Sequence, residues 1–380
     1  MKILTYEYSD PTGNTNWNFE KVELQNINLF VGNSGMGKTR LLNTIFNLFS
    51  QIHRKTVVPG NWKISLDIES VIYNWELEVA QENDNKATIL HEKIEKVVGD
   101  NISVEIVNRN SEDFLFKTES LPKLSKNESA VSILQEESEI NPLYTGLGRV
   151  LRRRFFQSEL FDKYTYQGFP LGVLDKLAQA NTIYELYPRL HSDINLHAIL
   201  YILHKQFKDV YEKICSLYKQ IFPFVEQILL ADIHQIDPKI IMPGQAPIFC
   251  VKERSVKKLI SLSELSSGMQ KVLLILVDIY TLPPGSIYLI DEYENSLGVN
   301  AINFFPDLLV EETFDIQFLI TSHHPYIINK FPVENWYVFH RTGSNVKILS
   351  GEKLKHRIGS SKQQAFIKLL NDPFFLEGRE

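Results

Sequence analysis

The run Gly32-Asn33-Ser34-Gly35-Met36-Gly37-Lys38-Thr39 matches GxxxxGK[ST] in full, and it constrains the fold more than any other feature of the 380 residues. Such a loop works where a buried strand ends and a helix begins. Its glycines let backbone N–H groups wrap phosphate oxygens, and the helix N-terminus favours their negative charge. The flanks comply: Val22 to Val31 ends in an apolar strand, and Lys38 to Ser50 alternates apolar and polar positions at helical spacing. The pattern assigns Lys38 to the β- and γ-phosphates of a nucleoside triphosphate and Thr39 to Mg²⁺. Asn33, Ser34, Gly35, Met36, Gly37 and Arg40 complete the set expected around the phosphates.

Two further strands end in chemistry. Ser286-Ile287-Tyr288-Leu289-Ile290 runs into Asp291-Glu292, so adjacent acids sit at the carboxyl end of a strand predicted to be buried. Asp291 is expected to bind the metal and Glu292 to polarise the attacking water, the division of labour that phosphoryl transfer needs. Phe318 to Thr321 is a similar strand followed by Ser322-His323-His324-Pro325. His323, at the strand end, is placed to meet a γ-phosphate or its water, and His324 is read as structural. Leu265-Ser266-Ser267-Gly268-Met269-Gln270 opens a helix expected from Ser267 to Tyr280. A serine hydroxyl and bare glycine amides at a helix start form a second anion site.

The remaining chain sets limits. Ile64 to Lys117 alternates with period two between polar turns, which predicts an antiparallel sheet. Residues 121 to 245 are punctuated by Pro122, Pro142 and Pro170 and read as helical, with an amphipathic stretch from Leu196 to Leu230 around Pro223. The expected organisation is an N-terminal lobe over 1–120, a helical insertion over 121–247 and a C-terminal lobe over 248–380. Net charge is -6, which argues against wholesale polybasic binding and leaves nucleic-acid contact to a local patch. The run Arg149, Arg152, Arg153, Arg154 beside Phe155 and Phe156 is one such patch. It is equally a solvated helix face paired with Glu136, Glu137 and Glu139. Lys252 to Lys258 carries the same two readings.

Cys215 and Cys250 form neither a zinc pattern nor a disulfide framework, which fits a reducing cytoplasm. Met1 to Glu7 reads as a first strand and not a secretory signal. The longest apolar run, Val272 to Leu282, is broken by Asp278 and is too short for a bilayer, so membrane transport is not expected. His191, Asp193, His197 and His204 lack the four-residue spacing of a helical metal pair.

Taken in order, the phosphate loop, Leu-Ser-Ser-Gly, Asp-Glu and Ser-His-His-Pro resemble the motifs of an ABC-type ATPase head. Asp291-Glu292-Tyr293-Glu294-Asn295-Ser296-Leu297 is similar to the DEPExxLH segment of the AAA-15/AAA-21 and OLD-like ATPases, relatives of SMC and recombination-repair heads. The resemblance covers roughly residues 1–60 and 248–370. It implies an α/β fold, an ABC-type P-loop ATPase head with an antiparallel β subdomain and a helical insertion, and it implies ATP and Mg²⁺. It also implies a homodimer in which Ser266 and Gly268 of one copy cap the γ-phosphate held by the other. Met269, Tyr293 and Gly298 depart from the family pattern, which implies altered coupling and slow turnover. The magnesium-sensing glutamine falls to Gln135 and the adenine-stacking residue to Tyr6 or Tyr8.

Like the ATPase components of bacterial anti-phage systems, such a head is expected to gate a separate effector, a Toprim or HNH nuclease. The residues after His323 carry no Asp-x-Asp pair, so no nuclease is expected in this chain. The alternatives are a DNA-gripping repair clamp using the Arg149–Arg154 run, or an assembly module in which ATP is not hydrolysed.

Overall fold

The computed structural model describes residues 1–11, 16–83, 86–99, 102–122, 125–153, 179–186, 196–232, 239, 247–311, 314–359 and 362–377. The chain forms two compact units. One is Met1–Arg153 with Pro284–Tyr293 and Phe314–Glu380; the other is Arg154–Pro283 with Glu294–Thr313. The division by sequence at 120 and 247 follows changes of character along the chain, whereas compactness carries the first unit to Arg153 and returns to it twice.

In chain order the strands are β1 (Lys2–Ser9), β2 (Asn18–Glu23), β3 (Ile27–Val31), β4 (Gly60–Ile68), β5 (Val71–Asn83), β6 (Lys86–Val98), β7 (Ile102–Arg109), β8 (Phe114–Phe116), β9 (Glu119–Ser120) and β10 (Val150–Arg153). They continue as β11 (Val225–Asp232), β12 (Pro247–Glu253), β13 (Ile260–Ser261), β14 (Ser286–Ile290), β15 (Ile316–Ser322), β16 (Trp336–Thr342) and β17 (Asn345–Ser350). Fourteen of them make one sheet in the order β10-β14-β15-β3-β16-β17-β2-β1-β4-β5-β6-β7-β8-β9. Its first five neighbours run parallel. From β1 through β9 every neighbouring pair is antiparallel.

The two halves differ in pattern for a physical reason. All residues of β14 and β15 are buried, as parallel strands covered on both faces require. Strand β4 alternates, with every second residue buried, as a sheet with one wet face does. The predicted antiparallel sheet is therefore present, but as a continuation of the nucleotide-binding sheet and not as a separate layer.

Helix α1 (Lys38–Arg54) buries Leu41, Leu42, Ile45, Leu48, Phe49 and Ile52 in the core of this unit. Short helices α2 (Ala130–Ile133) and α3 (Asn141–Leu147) lead into β10. Helix α2 is tied to the sheet by Glu92, fully buried, which accepts from Ala130 N at 2.8 Å and from Trp75 Nε1 at 3.3 Å. The Arg149–Arg153 run, weighed above as a helix face, continues into β10, paired in register with β14.

The second unit holds α4 (Leu196–Gln206), α5 (Lys208–Ile221), α6 (Ser267–Thr281) and α7 (Val299–Glu311) with the sheet β11-β12-β13. The amphipathic stretch expected to reach Leu230 stops at Ile221. Pro223 has no N–H to extend the helix, and Val225–Asp232 pairs antiparallel with β12 instead.

Within the first unit, Gln317 fastens β1 against β15. Its side chain is buried, its Oε1 accepts from Ile3 N, and its Nε2 donates to Ile3 O and Gln25 O, each at 2.8 Å. Gln317→Leu removes the side-chain partner of Ile3 N and Ile3 O, while Gln25 O keeps Asn28 Nδ2, so stability falls by about 2 kcal/mol. Guanidinium unfolding followed by tryptophan fluorescence measures it, and an unchanged midpoint would contradict the assignment.

Candidate nucleotide site

Strand β3 delivers the phosphate loop to the carboxyl edge of the parallel strands, the edge at which open α/β sheets bind ligands. Gly35 and Gly37 have φ of +84° and +96°, values that L side chains rarely adopt. A Cβ on Gly37 would lie 2.7 Å from the Trp17 ring, so the glycine is required twice over. Met36 turns inward and is buried, whereas Ser34, Gly35 and Thr39 face solvent. Lys38 Nζ donates to the loop's own carbonyls, Gly32 O at 2.6 Å and Asn33 O at 2.9 Å.

The acids arrive on β14, two strands away across β15. Thr39 Oγ1 donates to Asp291 Oδ1 at 3.0 Å and Thr321 Oγ1 donates to the same oxygen at 2.8 Å. Thr321 Oγ1 in turn accepts from Glu292 N at 2.7 Å, and Thr321 O accepts from Tyr293 N at 3.1 Å. This bonding holds Glu292 in the left-handed region with φ of +48°, an uncommon conformation for a non-glycine residue. Tyr293, where the family pattern has proline, is buried and forms part of the packing behind the acids.

A cavity of about 360 Å³ is lined by Ser34 to Arg40, Asn43, Trp17, Glu292, Thr321, Ser322 and His323. The structure thus brings together the phosphate loop, the second acid and the first histidine. His324 does not line the cavity: its N accepts direction from Ser322 by donating to Oγ at 3.1 Å, and its ring meets Tyr326.

The other residues weighed from the sequence have different surroundings, and some of the expectations are corrected. Tyr6 donates to Thr44 Oγ1 and is fully buried, and Tyr8 packs between Phe19 and Trp62, so neither can stack on a base. Gln135 is absent from the cavity lining; its carbonyl accepts from Asn141 Nδ2. Arg152 is not a surface group, since its side chain is 5% exposed and lies against Asp291. Arg149 donates to Pro284 O. Arg154, Phe155, Phe156, His191 and Asp193 lie outside the described residues. His197 accepts from Phe249 N and His204 packs on Tyr211, and among the described residues no cluster of three metal-ligating side chains occurs. Lys252 and Lys258 pair with Glu226 and Glu264.

Trp17 and Arg341 escaped sequence reasoning. Arg341 donates to Gly35 O at 2.8 Å, and Arg341 and Arg40 lie over the Trp17 ring at 4.4 and 4.6 Å from its centroid. Trp17 carries no motif; its signal is only an aromatic residue just before β2. Arg341 is 302 residues beyond Thr39 in sequence (341 − 39) and comes to the loop because β16 pairs with β3.

In the second unit, Ser266 caps α6, its Oγ accepting from Met269 N at 3.4 Å. A Cβ on Gly268 would meet Ser296 O at 2.4 Å, and Lys271 Nζ donates to Asn295 O at 2.9 Å. Ser266 is exposed at the helix start, and Met269 is buried.

This arrangement defines an ABC-type P-loop ATPase head. The chain belongs to the AAA_21 family, described as "AAA domain, putative AbiEii toxin, Type IV TA system", which it matches over residues 27–329. Among solved structures it is similar to the SmcHead bound to the C-winged helix domain of ScpA, with a TM-score of 0.51 and 12% identity over 94% of this chain and 100% of that one. It also resembles an Smc head domain with an extended coiled coil bound to the C-terminal domain of ScpA from Pyrococcus furiosus (0.46, 12%, 93% and 98%). A third is the SMC head domain from Thermotoga maritima (0.40, 11%, 92% and 99%). At 12% identity the first of these likenesses speaks for the fold alone. No curated protein sequence matches. No helix among the described residues is long and apolar enough to cross a membrane.

Trp17→Ala removes the wall behind Gly37 and the ring that gathers Arg40 and Arg341. Affinity for a fluorescent ATP analogue is expected to fall about tenfold, within the 0.5–2 kcal/mol typical of a cation–π contact. Wild-type affinity in a folded variant would remove Trp17 from the site.

Proposed function

We propose that this chain binds ATP with Mg²⁺ and hydrolyses it, and that nucleotide-driven pairing of two copies gates a separate effector. The observation that carries the first part is the bonded series Thr39–Asp291–Thr321–Glu292: Thr39, Thr321 and Glu292 line one cavity, and Asp291, buried and outside its lining, is joined to them by the Thr39 and Thr321 hydroxyls. Thr39 Oγ1 and Asp291 Oδ1, 3.0 Å apart, are both hard oxygens, and Mg²⁺ prefers one or two of these with phosphates and waters completing its shell. The residues present therefore fit the ion. When bound, Mg²⁺ neutralises phosphate charge and orients the phosphates.

The chain's own groups perform the rest. Backbone amides of the loop and Lys38 bind the β- and γ-phosphates, exchanging the ammonium's loop carbonyls for phosphate oxygens. Glu292, half-buried, accepts a proton from the attacking water at its carboxylate. His323, exposed at the end of β15 and part of the cavity lining, is the proposed contact to the γ-phosphate. Ser266 Oγ and the Gly268 amide, at the start of α6, cap the γ-phosphate of a second copy.

The family's description, which names a type IV toxin–antitoxin system, supports an ATPase that works through a second polypeptide. That polypeptide is expected to be a nuclease of the Toprim or HNH class. The inward turn of Arg152 weakens the DNA-clamp alternative, which drew on that residue.

Glu292→Gln is expected to lower turnover at least a hundredfold while leaving ATP binding intact. Because ATP then persists, the variant accumulates as a dimer by light scattering, and adding Ser266→Arg returns it to monomer. Turnover that persists in Glu292→Gln would overturn the catalytic assignment; an ATP-bound monomer would overturn the switch.

A further inference from the structure

Asp291 is more thoroughly enclosed than a metal ligand reached only from the nucleotide side. Its side chain is 1% exposed, and the two oxygens are treated differently. Oδ1 takes both hydroxyls, Thr39 and Thr321. Oδ2 accepts no hydrogen bond and faces Arg152, whose Nη2 lies 3.6 Å away. That distance is longer than a hydrogen bond, so the contact is one of charge.

Arg152 is itself built into the unit. It stands in β10 opposite Leu289 of β14, one strand from the acid, and its guanidinium lies 5.9 Å from the centroid of Phe46 on α1. Guanidinium stays charged under all ordinary conditions, so this countercharge is permanent. A carboxylate removed from water needs such a partner, because an uncompensated buried charge is strongly destabilising. With Arg152 beside Oδ2 and two hydroxyls on Oδ1, the carboxylate also has a preferred orientation: Oδ2 toward β10, Oδ1 toward Thr39.

We propose that Arg152 is a positioning residue for the metal-binding carboxylate, holding Asp291 so that Oδ1 stays turned to the Thr39 hydroxyl. The proposal rests on the ATP–Mg²⁺ reading above. It assigns to one arginine of a basic run an internal task, where the expectation was a surface role, as a nucleic-acid patch or a solvated helix face. Without Arg152 the carboxylate is pinned by its hydroxyl donors at one oxygen, and it can pivot about that oxygen away from the metal.

The test measures binding and not turnover. Affinity of the full chain for the non-hydrolysable analogue AMP-PNP is determined by calorimetry with Mg²⁺ and with EDTA, and the ratio of the two is the readout. In Arg152→Met the ratio is expected to fall about tenfold, the lower end of what loss of outer-shell support costs a metal site, while affinity in EDTA stays at the wild-type value. Arg152→Lys, which keeps the charge, is expected to recover most of the ratio. Arg152→Gln, polar and of similar length, serves if the methionine variant does not fold, with the same expected loss.

An arginine that only stabilised the fold would lower the melting temperature and leave the ratio unchanged, and that result would overturn the proposal. A wild-type protein whose analogue binding is indifferent to Mg²⁺ would overturn the functional reading itself, and the proposal with it. A normal wild-type ratio retained in Arg152→Met and Arg152→Gln would sink the proposal alone.

Discussion

One carboxylate ties the ends of the parallel strands together. Asp291 follows β14, receives Thr321 from β15 on one side, reaches Thr39 at the helix that follows β3, and faces Arg152 from β10 on the other. In the sheet order β10-β14-β15-β3 these are the four consecutive strands at which the site is assembled. Each contact is individually modest. Their common target is nevertheless a group almost wholly removed from water, where an unpaired charge would cost several kcal/mol. The register of all four strands is therefore locked at the one edge where phosphates are expected, and burial, which makes the arrangement demanding, also makes it specific.

How much of this could be read from residues depended on range. The phosphate loop, α1, the two buried strands β14 and β15 and the cap at Ser266 are local patterns, visible because apolar runs and glycines report directly on backbone and burial. Lys38, Thr39, Asp291, Glu292 and His323 were legible for the same reason, each sitting at a strand or helix end beside its motif. Trp17, Arg341 and Thr321 were not, because each enters the site through pairing between distant strands: β2 with β17, β16 with β3, and β15 with both β14 and β3.

Arg152 shows how composition misleads when topology is missing. Four arginines beside two aromatics read as a surface patch, because charged side chains usually stay wet. A strand alternates its side chains between faces, so a basic run in a strand cannot present every residue the same way. Once Val150–Arg153 is a strand beside β14, one of its arginines has to turn toward the covered face, and the nearest anion there is Asp291. The error over Val225–Asp232 has the same origin. Its residues satisfy a helical stripe as well as a strand, and the choice is made by β12, which offers a pairing edge.

The segment that follows the acids is fixed by one glycine of the signature helix. The chain leaves the first unit at Tyr293, directly after Asp291 and Glu292, and the very next residues pack on α6 within the second unit. Gly268 permits this approach, since a Cβ there would meet Ser296 O at 2.4 Å, and Lys271, buried, grips Asn295 O. Ser296 takes a φ of +65° to make the turn. Glu292 is itself held in a left-handed conformation by Thr321, so the segment has two uncommon backbone positions within five residues, Glu292 and Ser296. Gly268 then has two demands on it. The proposed capping role asks that its amide stay open toward a phosphate, and its missing side chain leaves room for Ser296. The second demand holds in a single copy, without nucleotide, so packing inside the second unit alone is enough to require glycine at this position.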